Sequence, residues 1–191
     1  MPTHTSKETA ADKRHRIAKE AANLLYSGQE KEYRQAKLKA AESLGARSLP
    51  SNLEIALEID HIAEETEGAA RSQRLIQMRT EALGIMRQLE ACCPLLIGSV
   101  WRGTVLRTSD IDVEVYCDEA EELAAKLKAE GQKIQRTQRM TTVEHGKTES
   151  SLHIHAQSQS GFPVEIVVRG SEKKGKKRTC DTFGNTIKGL I

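Results

Sequence analysis

Between Leu95 and Tyr116 the chain reads LLIGSVWRGTVLRTSDIDVEVY. A short apolar run ends at Gly98-Ser99. After ten intervening residues, Asp110 and Asp112 flank Ile111 and lead into a second apolar run. Side chains alternate along a strand, so residues two apart share a face. Asp110 and Asp112 therefore point one way, and Ile111, Val113 and Val115 the other. Neighbouring carboxylates repel each other, and a cation between them relieves the repulsion. Mg²⁺ suits this role because it takes carboxylate and phosphate oxygens. A Gly-Ser turn upstream can bring backbone N–H groups and a hydroxyl up to a phosphate. The stretch thus pairs metal-binding carboxylates with a phosphate-sized turn.

Working back toward the N-terminus, the first half reads as helical. Ile17, Ala18, Ala21, Leu24 and Leu25 recur at helical spacing over residues 9–26. A second helix is expected over 29–44, with Tyr33, Ala36, Ala40, Ala41 and Leu44 inward and Gly45 as its stop. Ser51 and Glu54 form a capping-box pattern after Pro50, opening a third helix that ends at Gly68. Leu75, Met78, Ala82, Ile85, Leu89 and Cys92 alternate three and four apart, a bundle-type seam on a fourth helix over 70–92. Short Gly and Pro breaks favour antiparallel hairpins.

Working forward, the pattern changes at Cys93-Pro94. Strands are expected over 95–98 and 112–117, then a charged helix over 119–131. Strands follow over 133–144, 151–157 and 163–169. The last, PVEIVVR, is β-branched and bounded by glycines. This order predicts an α+β fold, with a helical region at 1–92 and a mixed-sheet domain at 93–191.

Bulk composition narrows the classes. Charged residues make up 29% of the 191, yet the net charge is only +2, so there is no global nucleic-acid signature. Aromatics at 3% do not supply a base-stacking surface. No apolar run approaches membrane-spanning length, and the polar start is unlike a signal peptide. Cys92, Cys93, Cys117 and Cys180 form no C-x-x-C pair, which suits reduced thiols and a cytoplasmic setting. The chain stops on two apolar residues without a cap, as a chain trimmed from a longer one would.

Gly98-Ser99, Arg102-Gly103 and Ser109-Asp110-Ile111-Asp112-Val113 together resemble the nucleotidyltransferase superfamily with the DNA polymerase β-like fold. They look closest to its small bacterial- and archaeal-type members. The resemblance spans residues 95–169. It leaves out the N-terminal helical bundle and implies that the mixed-sheet domain following it is a polymerase β-like catalytic domain. In this superfamily the Gly-Ser turn holds the phosphates of a nucleoside triphosphate. The paired aspartates hold divalent metal, Mg²⁺ or Mn²⁺, and a carboxylate on a later strand completes the site. The reaction moves a nucleoside monophosphate to an acceptor hydroxyl and releases pyrophosphate. The expected nucleotide is ATP, and the acceptor is a small molecule, a protein or an RNA end.

Glu165 is the natural third carboxylate, because a lone glutamate inside PVEIVVR must face a cation or solvent. Glu114 shares a face with Asp112 but lies outside the superfamily's carboxylate positions. Gly98, Ser99, Arg102 and Ser109 are the expected nucleotide-side residues. Arg102 serves either the triphosphate or a neighbouring carboxylate, and Ser109 shapes the turn before Asp110. Trp101 is read as a packing residue. His153 and His155 share a strand face. A polar strand face is the simpler account of them than a metal pair. If their strand pairs with PVEIVVR through a turn at 157–162, one of them approaches Glu165. Lys173, Lys174, Lys176, Lys177 and Arg178 form either a phosphate grip or a solvated run. The four helices offer a lid, a homodimer interface or an acceptor platform. Two rival readings differ in class. DIDVEV is also similar to the nucleophile motif of haloacid-dehalogenase-type phosphatases, although the preceding Gly-Ser strand does not suit that fold. The other is a non-catalytic, antitoxin-like module of the same fold that binds a partner protein.

Overall fold

A computed structural model describes residues 9–45, 48–144, 147–175 and 182. The chain divides into two compact units, and the division falls inside a helix at Gly68. Lys176, Lys177, Arg178 and Cys180 lie outside the described residues.

The first unit is helical. Helix α1 (Ala10–Tyr26) starts from a capping box. The Asp12 N–H donates to Thr9 Oγ1 at 3.1 Å, and the Thr9 N–H donates back to the Asp12 carboxylate at 2.9 Å. Helix α2 (Tyr33–Ser43) packs against α1. Helix α3 (Asn52–Gln88) opens with the expected Ser51–Glu54 box. Ile17, Ala21, Ala36, Ala40, Ile55 and Ala63 are fully buried here. Small residues in these positions let helices approach closely.

Gly68 interrupts α3. Its φ of 46° and ψ of −124° belong to neither half of the helix. Glycine tolerates that region without a Cβ penalty. The four expected helices are therefore present, the third and fourth joined across this kink.

The second unit holds a five-stranded sheet in the order β1-β2-β5-β4-β3. The strands are β1 (Leu95–Ile97), β2 (Ile111–Tyr116), β3 (Lys133–Glu144), β4 (Lys147–Gln157) and β5 (Pro163–Arg169). Helix α4 (Gly98–Arg102) follows β1, and α5 (Ala120–Ala129) follows β2. Only β2 and β5 pair in parallel; the other neighbours are antiparallel, so the sheet is mixed and the fold α+β. Ile111, Val113, Val115, Ile154, Val164, Ile166 and Val168 turn inward into one core. Each fully buried side chain of this size contributes about 1.5–3 kcal/mol.

The seam Met78, Ala82, Ile85 and Leu89 belongs to the second unit. It lies in the core of the sheet, with Leu123 and Leu127 of α5. An apolar stripe needs an apolar partner, and the inner faces of β2, β4 and β5 supply one. The helical half thus lends its last helix to the sheet.

Candidate active site

The opposite face of the sheet carries the polar residues. The parallel ladder sets Asp112 directly beside Glu165, while β1 sets Ile97 opposite Asp112. Asp110 sits one residue ahead of β2. The segment from Gly98 to Asp110, helix α4 and the loop after it, is fixed from several sides. Buried Arg71 donates from Nε to the Val105 carbonyl at 2.8 Å. Arg79 donates to the carbonyls of Val100 and Trp101, both at 3.1 Å. The Leu106 N–H donates to Ser109 Oγ at 2.9 Å, the turn-shaping role expected of that serine.

These constraints bring Asp110, Asp112 and Glu165 together. One carboxylate oxygen from each lies within 4.8 Å of the others. All three are half-buried. Burial pushes the Asp112 carboxyl up to about 7, and the charges of Asp110 and Glu165 add to the rise. The charge of Arg102 works against it. Burial also raises Asp110, again with help from Glu165. Two aspartates that resist ionising, set beside a third carboxylate, form a site that a cation would complete. Hard oxygen donors fit Mg²⁺ or Mn²⁺ rather than a soft metal.

Gly98 follows β1 with a φ of 70°, and a Cβ there would collide with the Asp112 carboxylate. The glycine is thus required twice, for its backbone conformation and for the closeness of the acid. Ser99 and Arg102 lie on the short helix that begins there. Trp101 is partly buried against the core, as its packing role requires.

Glu114 is not part of the cluster. It is buried, accepts from the Tyr116 hydroxyl at 2.6 Å and from Arg169 Nε at 3.0 Å, and is structural. The β4–β5 hairpin forms as expected and pairs His155 with Glu165. It is His153, however, that reaches the carboxylate, with Nδ1 at 2.6 Å from Oε1. Of the basic run, Lys173 pairs with Glu149, and Lys174 donates to Cys93 Sγ at 2.9 Å. Neither reaches the carboxylate cluster.

Sequence reading missed Arg71 and Arg79. For Arg71 there was a signal. It falls on the same stripe as Leu75, Met78 and Ala82, and a charge on an apolar stripe must meet an acceptor.

Residues 95–183 match the family model described as a nucleotidyltransferase domain. The chain therefore carries, over that segment, a nucleotidyltransferase domain of the polymerase β-like superfamily. No curated protein matches the chain. Solved structures similar to it include that of a cytoplasmic RNA terminal U-transferase. That match has 18% identity and a TM-score of 0.36, and covers 61% of this chain and 34% of the other. Two structures of Cid1 are also similar. One, described for its RNA terminal uridylyl transferase activity, shows 16% identity, 59% and 36% coverage, and a TM-score of 0.33. The other, a poly(U) polymerase with Mg 3'-dATP bound, shows 18%, 62% and 37%, and 0.34. The chain spans little more than a third of the length of these structures.

Proposed function

We propose that the protein is a metal-dependent nucleotidyltransferase that moves a nucleoside monophosphate from a nucleoside triphosphate, ATP first among them, to an acceptor hydroxyl. The observation that carries this reading is the convergence of Asp110, Asp112 and Glu165 beside Gly98, inside a segment that matches the nucleotidyltransferase domain. In this reading the three carboxylates hold Mg²⁺ or Mn²⁺, which when bound neutralises phosphate charge and polarises the α-phosphate. Gly98 and Ser99 take the β- and γ-phosphates, Arg102 adds positive charge from the short helix they open, and Ser109 shapes the separate turn that presents Asp110. The acceptor oxygen bonds to the α-phosphorus, the bond to the bridging oxygen breaks, and pyrophosphate leaves. Glu165 lies beside the acceptor and takes its proton. Positioning and charge neutralisation do most of the work, as in phosphoryl chemistry generally.

Free thiols at Cys92, Cys93 and Cys117 support a reducing, cytoplasmic setting. Among the described residues no helix is long and apolar enough to cross a membrane.

The test is a calorimetric titration with each nucleoside triphosphate, with and without Mg²⁺ or Mn²⁺. It compares the wild type with an Asp110→Ala, Asp112→Ala double variant. Metal-dependent binding that disappears in the variant supports the reading, and an acceptor screen with α-labelled ATP then follows. A folded wild type that binds no nucleotide overturns it and favours the partner-binding module.

A further inference from the structure

Two histidines flank Glu165, and hydrogen-bond chemistry separates them. A carboxylate only accepts, so His153 Nδ1 carries the proton it shares with Glu165 Oε1 at 2.6 Å. In the neutral ring that leaves His153 Nε2 to accept from the Ser151 hydroxyl, 3.0 Å away. His155 is placed otherwise. Its Nε2 is 3.9 Å from the same Glu165 oxygen, beyond a hydrogen bond, and 3.1 Å from the Arg136 guanidinium. A guanidinium only donates, so that nitrogen accepts from Arg136 and has no proton for Glu165.

The distinction matters because the third carboxylate is a glutamate. Glutamate has one more side-chain torsion than aspartate. Ordering a glutamate side chain costs up to about 2 kcal/mol. Asp112 is braced by its burial and by the close backbone of Gly98. Glu165 is braced by His153, which is itself held by Ser151. His153 and Glu165 are both mostly shielded, at 19% and 25% side-chain exposure, so water competes weakly for the contact. His153 and Ser151 share the polar face of β4, and the β4–β5 register sets that face beside Glu165.

We infer that His153, oriented by Ser151, is a positioning residue that presets the Glu165 carboxylate for metal binding. This rests on the reading of Asp110, Asp112 and Glu165 as metal ligands. Outer-shell partners of this kind typically change metal affinity by about 10- to 100-fold when removed.

The experiment titrates Mn²⁺ into the full chain, without nucleotide, and follows free Mn²⁺ by electron paramagnetic resonance. The variants are His153→Leu, His153→Asn, Ser151→Ala and His155→Asn. An asparagine amide can place an N–H near the position of Nδ1. The expected result is that H153L weakens Mn²⁺ binding by about tenfold or more, that H153N restores most of it, and that S151A falls between. H155N is expected to bind like the wild type, and all four variants to unfold at similar temperatures. If H153L unfolds early, the comparison of H153N with S151A carries the test. Equal Mn²⁺ affinity across the His153 and Ser151 variants overturns this inference and leaves the metal site standing. A wild type that binds no Mn²⁺, or binds it as the Asp110→Ala, Asp112→Ala variant does, overturns both.

Discussion

Asp112 has a measurable signature even before any ligand is added. An unstructured aspartate loses its proton near 3.8, whereas burial and two neighbouring acids hold Asp112 to about 7. Between those values the folded chain binds that proton and the unfolded chain does not. Folding stability must then fall as pH rises through this window. The contribution is fully present below about pH 4 and lost above about pH 7, and amounts to at most about 4 kcal/mol for this shift. Urea unfolding in chelator, from acid to neutral pH, is expected to show this decline in the wild type. Asp112→Asn, which cannot ionise, is expected to show a shallower one. Saturating Mn²⁺ is expected to remove the decline, since it favours the ionised carboxylates. A wild-type curve that parallels D112N would show that Asp112 ionises normally. At this scale the sequence was informative because chemistry is local. Two aspartates two residues apart announce themselves, and a glutamate in a β-branched strand demands a partner. The choice of His153 over His155 was not legible. It depends on which imidazole nitrogen meets Arg136 and which meets Ser151, and strand spacing is silent about both.

Elements position these residues, and α3 does so through Arg71. This side chain is 5% exposed and donates to the carbonyl of Val105, in the loop that delivers Asp110. Arg71→Met keeps the length and apolar stem but removes the donors. It is expected to cost about 1–3 kcal/mol in urea unfolding, the penalty for losing a buried hydrogen bond to a charged group. It is also expected to weaken Mn²⁺ binding, because the loop then has one fewer anchor. Arg87→Ala, on an exposed position of the same helix, is expected to stay within about 0.5 kcal/mol of the wild type. An unaltered Mn²⁺ affinity in R71M would mean that the loop holds its own shape. Strand β3 and strand β5 were legible to the residue. Strand β4 was not: it begins at Lys147 rather than Ser151, because its first residues pair with β3 alone and show no apolar alternation. Helix α4 was read as a turn, since five residues are too few for a helical period to show.

Across the whole molecule, the sequence places its change of pattern at Cys93-Pro94, where helical spacing gives way to strand alternation. The compact units divide earlier, at Gly68. Periodicity reports the local state of the backbone. Compactness reports which apolar faces meet, and residues far apart in sequence decide that. Ligand linkage offers a whole-molecule test of the site. Anything that binds only the folded state stabilises it, by about 2.7 kcal/mol at one hundred times the dissociation constant. For chains of this length each kcal/mol moves the melting midpoint by about 2–4 °C. Trp101 is the only tryptophan, lies within the second unit three residues after Gly98, and packs against the core of the sheet. Its fluorescence therefore reports unfolding around the site. Saturating Mn²⁺ with ATP is expected to raise that midpoint by about 5–10 °C in the wild type. The Asp110→Ala, Asp112→Ala variant is expected to melt at one temperature with or without the ligands. A wild-type midpoint unmoved by Mn²⁺ and ATP would mean that the carboxylate cluster binds neither, and the proposed transfer chemistry would lose its metal-bound nucleotide.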